Sequence, residues 1–180
     1  MLLDLGTGDG RHVVERAAAM PGALVIGVDA SPASMAPAWR RLQRRRLTNA
    51  LLVVARAEAL PADLDGLADE VTAHFPWGSL LRGLLTADAA IASGLARVTR
   101  PGAEITALVS VTERERALEL PGSESIRSET LAAGFRPFSL EVRDWRPATP
   151  AEVEASHSSW AKRLGVPARR PAWLLRLARS

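Results

Sequence analysis

The chain has 180 residues, 47% of them hydrophobic, enough to bury one substantial core and too few for a second independent one, so residues 1–180 are read as a single domain. It contains no cysteine, which excludes disulfides, cysteine-ligated zinc or iron-sulfur centres and thiol nucleophiles. The net charge is +3, and Lys162 is the single lysine among 23 basic residues, so the basic surface consists of arginines, which can grip phosphates bidentately.

In chain order, the first apolar run predicts a strand over residues 1–5 and the pattern after it a helix over 10–20. Between them lies Asp4-Leu-Gly-Thr-Gly-Asp-Gly10. Glycines at 6, 8 and 10 allow a tight strand-to-helix turn whose backbone N–H groups approach a ligand closely. The spacing is GxGxG rather than the dinucleotide GxGxxG, and no Gly-Lys-Ser/Thr follows, so the turn is not a phosphate loop. It points to a bound adenosine cofactor. The next strand, 23–29, ends in Asp29, placed to accept both ribose hydroxyls or else to cap the helix that begins after Ser31-Pro32.

That helix, predicted over 33–47, carries Trp39-Arg-Arg-Leu-Gln-Arg-Arg-Arg46. Arg40 with Arg44 and Arg41 with Arg45 are i,i+4 pairs of like charge, and no acid lies between Ser31 and Arg56. A solvated helix interleaves acids, so an anionic partner is the better explanation. A third strand, 50–55, delivers Ala55-Arg-Ala-Glu58 to the same sheet edge, and a fourth, 69–75, delivers His74-Phe-Pro-Trp-Gly-Ser-Leu-Leu81. Trp77, set in a turn by Pro76 and Gly78, is either a plate for stacking a planar base or a core side chain at a strand end. A helix over 86–99 and a strand over 103–111 follow.

The last third is less periodic: a Gly134-Phe-Arg-Pro137 turn, a strand-like stretch 138–145, a helix opening near Thr149-Pro-Ala-Glu152, and an apolar run 172–177 that completes an antiparallel pair. Between these lies Ser156-His-Ser-Ser-Trp-Ala-Lys-Arg-Leu-Gly165, where Trp160, Lys162 and Arg163 precede a loop ending in Arg169-Arg170. An aromatic beside basic residues suits a nucleic acid; cations complementing a helix carboxyl terminus are the alternative. No internal repeat and no low-complexity segment is visible, and His12, His74 and His157 are read as structural. No apolar stretch reaches the roughly 20 residues that span a bilayer, and no signal peptide precedes the first strand, which predicts a cytoplasmic protein.

Strand ends of these types resemble the Rossmann-like class I S-adenosylmethionine-dependent methyltransferases: an α/β fold with a mostly parallel seven-stranded sheet and an antiparallel C-terminal strand. More specifically, DLGTGDGR at 4–11, FPWGSLLR at 75–82 and HSSWAKRLG at 157–165 resemble the aminoglycoside-resistance 16S rRNA methyltransferases that modify N1 of adenine 1408, the kanamycin and apramycin resistance group. The resemblance covers nearly the whole chain. It implies S-adenosyl-L-methionine held by the turn (Asp4, Gly6, Thr7, Gly8, Gly10) and Asp29, with Ala57, Glu58 and Ser79 around it. It implies an adenine stacked between Trp77 and Trp160, and contact with 16S rRNA of the assembled 30S subunit through Arg40, Arg41, Arg44, Arg45, Arg163, Arg169 and Arg170. No metal and no membrane are implied. The family has a hairpin ahead of the first strand; here the first strand opens at Met1, and the expectation is a chain lacking that hairpin. The tRNA guanine-N7 methyltransferases share a Phe-Pro at the same strand end but continue Asp-Pro-Trp-Pro, whereas Trp77-Gly78 follows Pro76 directly. Two further alternatives are a shortened, inactive RNA-binding relative and a small-molecule methyltransferase, the latter leaving the arginine face unexplained.

Overall fold

The computed structural model describes residues 1–111 and 120–180. Seven strands form one sheet in the order β3-β2-β1-β4-β5-β7-β6. These are β1 (Leu2–Leu5), β2 (Val25–Asp29), β3 (Ala50–Val54), β4 (Ala68–His74), β5 (Thr99–Val109), β6 (Leu140–Pro147) and β7 (Trp173–Arg179). Strands β1 to β5 are parallel, and β7 runs antiparallel to both β5 and β6. Parallel strands covered on both faces need unbroken apolar runs, and β1 and the first four residues of β2 are buried accordingly. The exception in β1 is Asp4, 3% exposed, whose carboxyl accepts from the hydroxyls of Thr7 at 2.6 Å and Thr72 at 2.7 Å. A buried carboxyl is tolerated because it is hydrogen-bonded.

Helix α1 (Arg11–Ala19) returns from the glycine turn, and α2 (Pro32–Arg45) opens with Pro32 at its first position behind the N-cap Ser31, whose side chain accepts from the Ser34 N–H. The side-chain amide of Asn49 reaches the carbonyls of Ala17, Met20 and Ala23, tying the end of α1 to the start of β2. The helix expected over 86–99 is α4 (Ala89–Val98), and a further helix that the sequence reading does not give, α3 (Gly78–Thr86), precedes it. Ala87 turns left-handed, with φ 51°, and Asp88 caps α4 by accepting from Ala90 and Ile91 N–H groups. A Cβ on Gly83 would stand 2.8 Å from Ile91 Cβ, so the break lets the two helices pack through a glycine. Gly78 and Gly83 lower helix propensity and hide α3 from a sequence reading.

Strand β5 starts four residues before the expected 103, at Thr99. Helix α5 (Ser128–Phe135), not expected from the sequence, buries Leu131 and Phe135 and ends in the short 3-10 turn Arg136–Phe138. Helix α6 (Pro150–Ala155) begins with a reciprocal cap between Thr149 and Glu152, and α7 (Ser159–Leu164) follows it. The end of the expected 103–111 strand, beyond Val109, is outside β5. Among the described residues, no helix is long and apolar enough to cross a membrane.

Candidate active site

The carboxyl ends of β1, β2, β3 and β4 open on one side of the sheet, the edge at which open α/β sheets bind ligands. After β1 the backbone turns through Gly6, Gly8 and Gly10 at φ 70°, 52° and 66°, values that a side chain would strain. Gly6 and Thr7 N–H groups both donate to the Val28 carbonyl, which pins the turn to the end of β2. Asp29 completes it: one carboxylate oxygen accepts from Gly8 N–H at 2.9 Å and the other from Ser31 N–H at 2.8 Å. Of the two roles open to Asp29, capping α2 falls to Ser31 instead, and the half-buried carboxylate keeps free lone pairs facing two cavities.

The first cavity, of 280 Å³, is lined by Gly6, Asp29, Ala57, Glu58, Trp77 and Ser79 among others. Ala57 and Glu58 sit on a 3-10 turn after β3, and Ser79 lies in the first turn of α3. The Ser79 hydroxyl donates to Glu58 and holds that carboxyl below the usual glutamate range. The second cavity, of 420 Å³, shares Gly6, Asp29 and Trp77 with the first and extends over Asp4, Thr7 and Gly8 to Trp160 and Arg163. Gly10, the left-handed residue before α1, serves packing: a Cβ there would overlap the Ala38 methyl group of α2.

Both tryptophans therefore reach one cavity. Trp77 is 69% exposed, which removes the core reading, and is presented by Phe75 at φ 52° and Gly78 at φ 64°. Trp160 is 41% exposed at the start of α7, and the Arg163 guanidinium lies 5.5 Å from its ring centroid. The cap of α6, the helix before α7, is well held: Arg146 donates to Glu152 at 2.7 and 3.0 Å, and Thr149 adds backbone and hydroxyl donors. These donors hold the Glu152 carboxyl down at about 2, Arg146 being the largest cause.

The four α2 arginines divide. Arg41 is half-buried and donates to the Asp9 carbonyl at 2.5 Å, bracing the glycine turn, and Arg45 pairs with Glu15 at 2.7 Å. The acids that the helix's own sequence lacks are thus supplied by α1 and the turn before it. Arg40 and Arg44 are exposed, with no acidic partner among the described residues. Arg169 is exposed and Arg170 partly so, in the loop after α7. Sequence reasoning overlooked the surroundings of His12 and His74, which line the larger cavity beside Asp4. Their positions carry no spacing signal because they come from separate elements.

The arrangement fits an adenosine-bearing sulfonium ligand: a side-chain-free turn, a fixed carboxylate at the end of β2, and a second carboxyl with a hydroxyl across the smaller cavity. Comparison with known proteins agrees. The family model described as NpmA: 16S rRNA (adenine(1408)-N(1))-methyltransferase matches residues 1–178. The 16S rRNA (adenine(1408)-N(1))-methyltransferase of Streptoalloteichus hindustanus is 36% identical over 174 residues, covering 91% of this chain and 80% of that protein. The crystal structure of the 16S rRNA methyltransferase KamB superposes with a TM-score of 0.86 at 31% identity, over 99% of this chain and 87% of that one. A tryptophan-to-alanine variant of the corresponding enzyme from Catenulisporales acidiphilia, solved with its cosubstrate SAM, gives a TM-score of 0.80 at 33% identity, over 99% of this chain and 84% of that one. The chain belongs to the 16S rRNA (adenine(1408)-N(1))-methyltransferase family.

Proposed function

We propose that this protein transfers the methyl group of S-adenosylmethionine to N1 of adenine 1408 in 16S rRNA of the assembled 30S subunit, and so confers aminoglycoside resistance. The observation that carries this reading is the meeting of Trp77 and Trp160 in one cavity that continues into the glycine turn. When bound, S-adenosylmethionine supplies a methyl group on a sulfonium, whose transfer to the N1 lone pair breaks the methyl–sulfur bond and leaves its electron pair on sulfur. Adenine N1 carries no proton, so no general base is needed. What remains for the protein is positioning. Asp29, Glu58 with Ser79, and the turn from Asp4 to Gly10 hold the cofactor. Trp77 and Trp160 stack the adenine after it is drawn out of its helix, each contact contributing roughly 1–3 kcal/mol. Arg40 and Arg44, exposed on α2 and without an acidic partner among the described residues, with Arg163 and the Arg169-Arg170 loop, meet the rRNA phosphates; Arg41 and Arg45 contribute through the turn and α1 they brace.

The test is primer extension on 16S rRNA from cells expressing the chain, because a methyl group on the pairing face of adenine arrests reverse transcription. The expected result is a stop at adenine 1408 that fades with Trp77→Ala and with Trp160→Ala, while both variants still bind S-adenosylhomocysteine. Cofactor binding without any stop at that base would refute the assignment of the target.

A further inference from the structure

Asp4 near the end of β1, His12 in the first turn of α1 and His74 at the end of β4 all line the larger cavity. One ligand atom from each lies within 4.8 Å of the other two, and the two imidazoles meet edge to face with ring centroids 4.3 Å apart. His12 is 8% exposed, and among the described residues neither its ring nitrogens nor His74 Nδ1 makes a well-formed hydrogen bond, with only the Ser156 backbone lying close to His12. Buried polar atoms are rarely left this way, and each one calls for an explanation. The Thr7 and Thr72 hydroxyls that donate to Asp4 orient its carboxyl, as outer partners do for a metal-binding carboxylate.

We propose that Asp4, His12 and His74 form a binding site for a divalent transition-metal ion, with an open coordination position facing the cavity. Two imidazoles and one carboxylate suit zinc, cobalt or nickel rather than magnesium or calcium. The ligand atoms must draw closer to make bonds of ~2.0–2.2 Å to one ion. An ion there lies against the glycine turn, so metal and cofactor antagonise one another. This consequence rests on the cofactor reading above.

The test titrates the purified protein with Co²⁺, read by its visible absorption, and with Zn²⁺, read by calorimetry. The expected result is ligand-field bands at micromolar Co²⁺, no response to Mg²⁺, at least about tenfold weaker binding in His12→Gln and in His74→Gln, and unchanged binding in His157→Gln. Zinc-induced shifts of the His12 and His74 ring resonances in the unmutated protein give the same answer without relying on variants that must fold. Absence of Co²⁺ binding up to about 1 mM, or binding that ignores both histidines, overturns the site. Saturating S-adenosylhomocysteine should weaken Co²⁺ binding; if it binds and the metal isotherm does not move, the ion is not where we place it. If S-adenosylhomocysteine fails to bind the metal-free protein, the cofactor reading falls and the bands and resonances still judge the metal site.

Discussion

Substituting Gly10 by alanine should destabilise the fold far more than the same change at Gly78, although both glycines sit at nearly the same φ, 66° and 64°. The left-handed conformation costs an L-residue about 1–2 kcal/mol, of which roughly 0.4–1 is regained because alanine restricts the unfolded chain. At Gly78 nothing lies within 4 Å of an added Cβ, so only this difference is felt, about 1 kcal/mol. At Gly10 the new methyl group would overlap that of Ala38 and stand 3.4 Å from its Cα, and Ala38 is fully buried on α2. Forcing atoms into a packed contact adds about 1–3 kcal/mol, which brings Gly10→Ala to roughly 2–4 kcal/mol. For a domain of this size the melting temperature should fall by about 4–16 °C for Gly10→Ala and ~2–4 °C for Gly78→Ala. Differential scanning calorimetry on both variants decides the matter. Equal losses would refute the inference that α1 and α2 meet through this glycine, since strain alone cannot tell the two positions apart.

The division of the α2 arginines can be tested by replacing them separately. Arg40→Ala with Arg44→Ala should weaken 30S binding and lower the slope of log affinity against log salt by about one per arginine, with no change in melting temperature or in S-adenosylhomocysteine affinity. Arg41→Ala should instead impair cofactor binding, because Asp9 loses its brace; an effect confined to rRNA affinity would contradict that role. For Glu152 the folded-state pKa, about 2, is depressed below its ordinary value, so its contribution is present above pH ~4.5 and is lost as pH falls toward 2. Glu152→Gln should therefore melt below the unmodified protein at pH 7, the gap closing between pH ~4.5 and 2; a gap independent of pH would assign the effect to shape rather than charge.

Much of the fold follows from local pattern. Continuous apolar runs alternating with helical periodicity specify a parallel sheet, and the positions of the glycine turn, Asp29, the Ala57-Glu58 turn and Trp77 at strand ends follow from it, because such strands deliver their ends to one edge. The break between α3 and α4 was less legible, since an apolar stretch rich in glycine reads poorly as helix and the break depends on Ala87 turning left-handed before the Asp88 cap. Contacts between distant segments are not encoded in any local pattern, and the pairing of Trp77 with Trp160 came only from the family resemblance. The sequence by itself determined the sheet, the glycine turn and the residue types at its edge, because backbone stereochemistry and burial periodicity act over a few residues. Only the tertiary structure decided that Glu15 and the Asp9 backbone take up two of the four α2 arginines and that two histidines converge on Asp4. Those meetings are set by how helices pack across the sheet, through contacts such as Gly10 against Ala38, which no local pattern encodes.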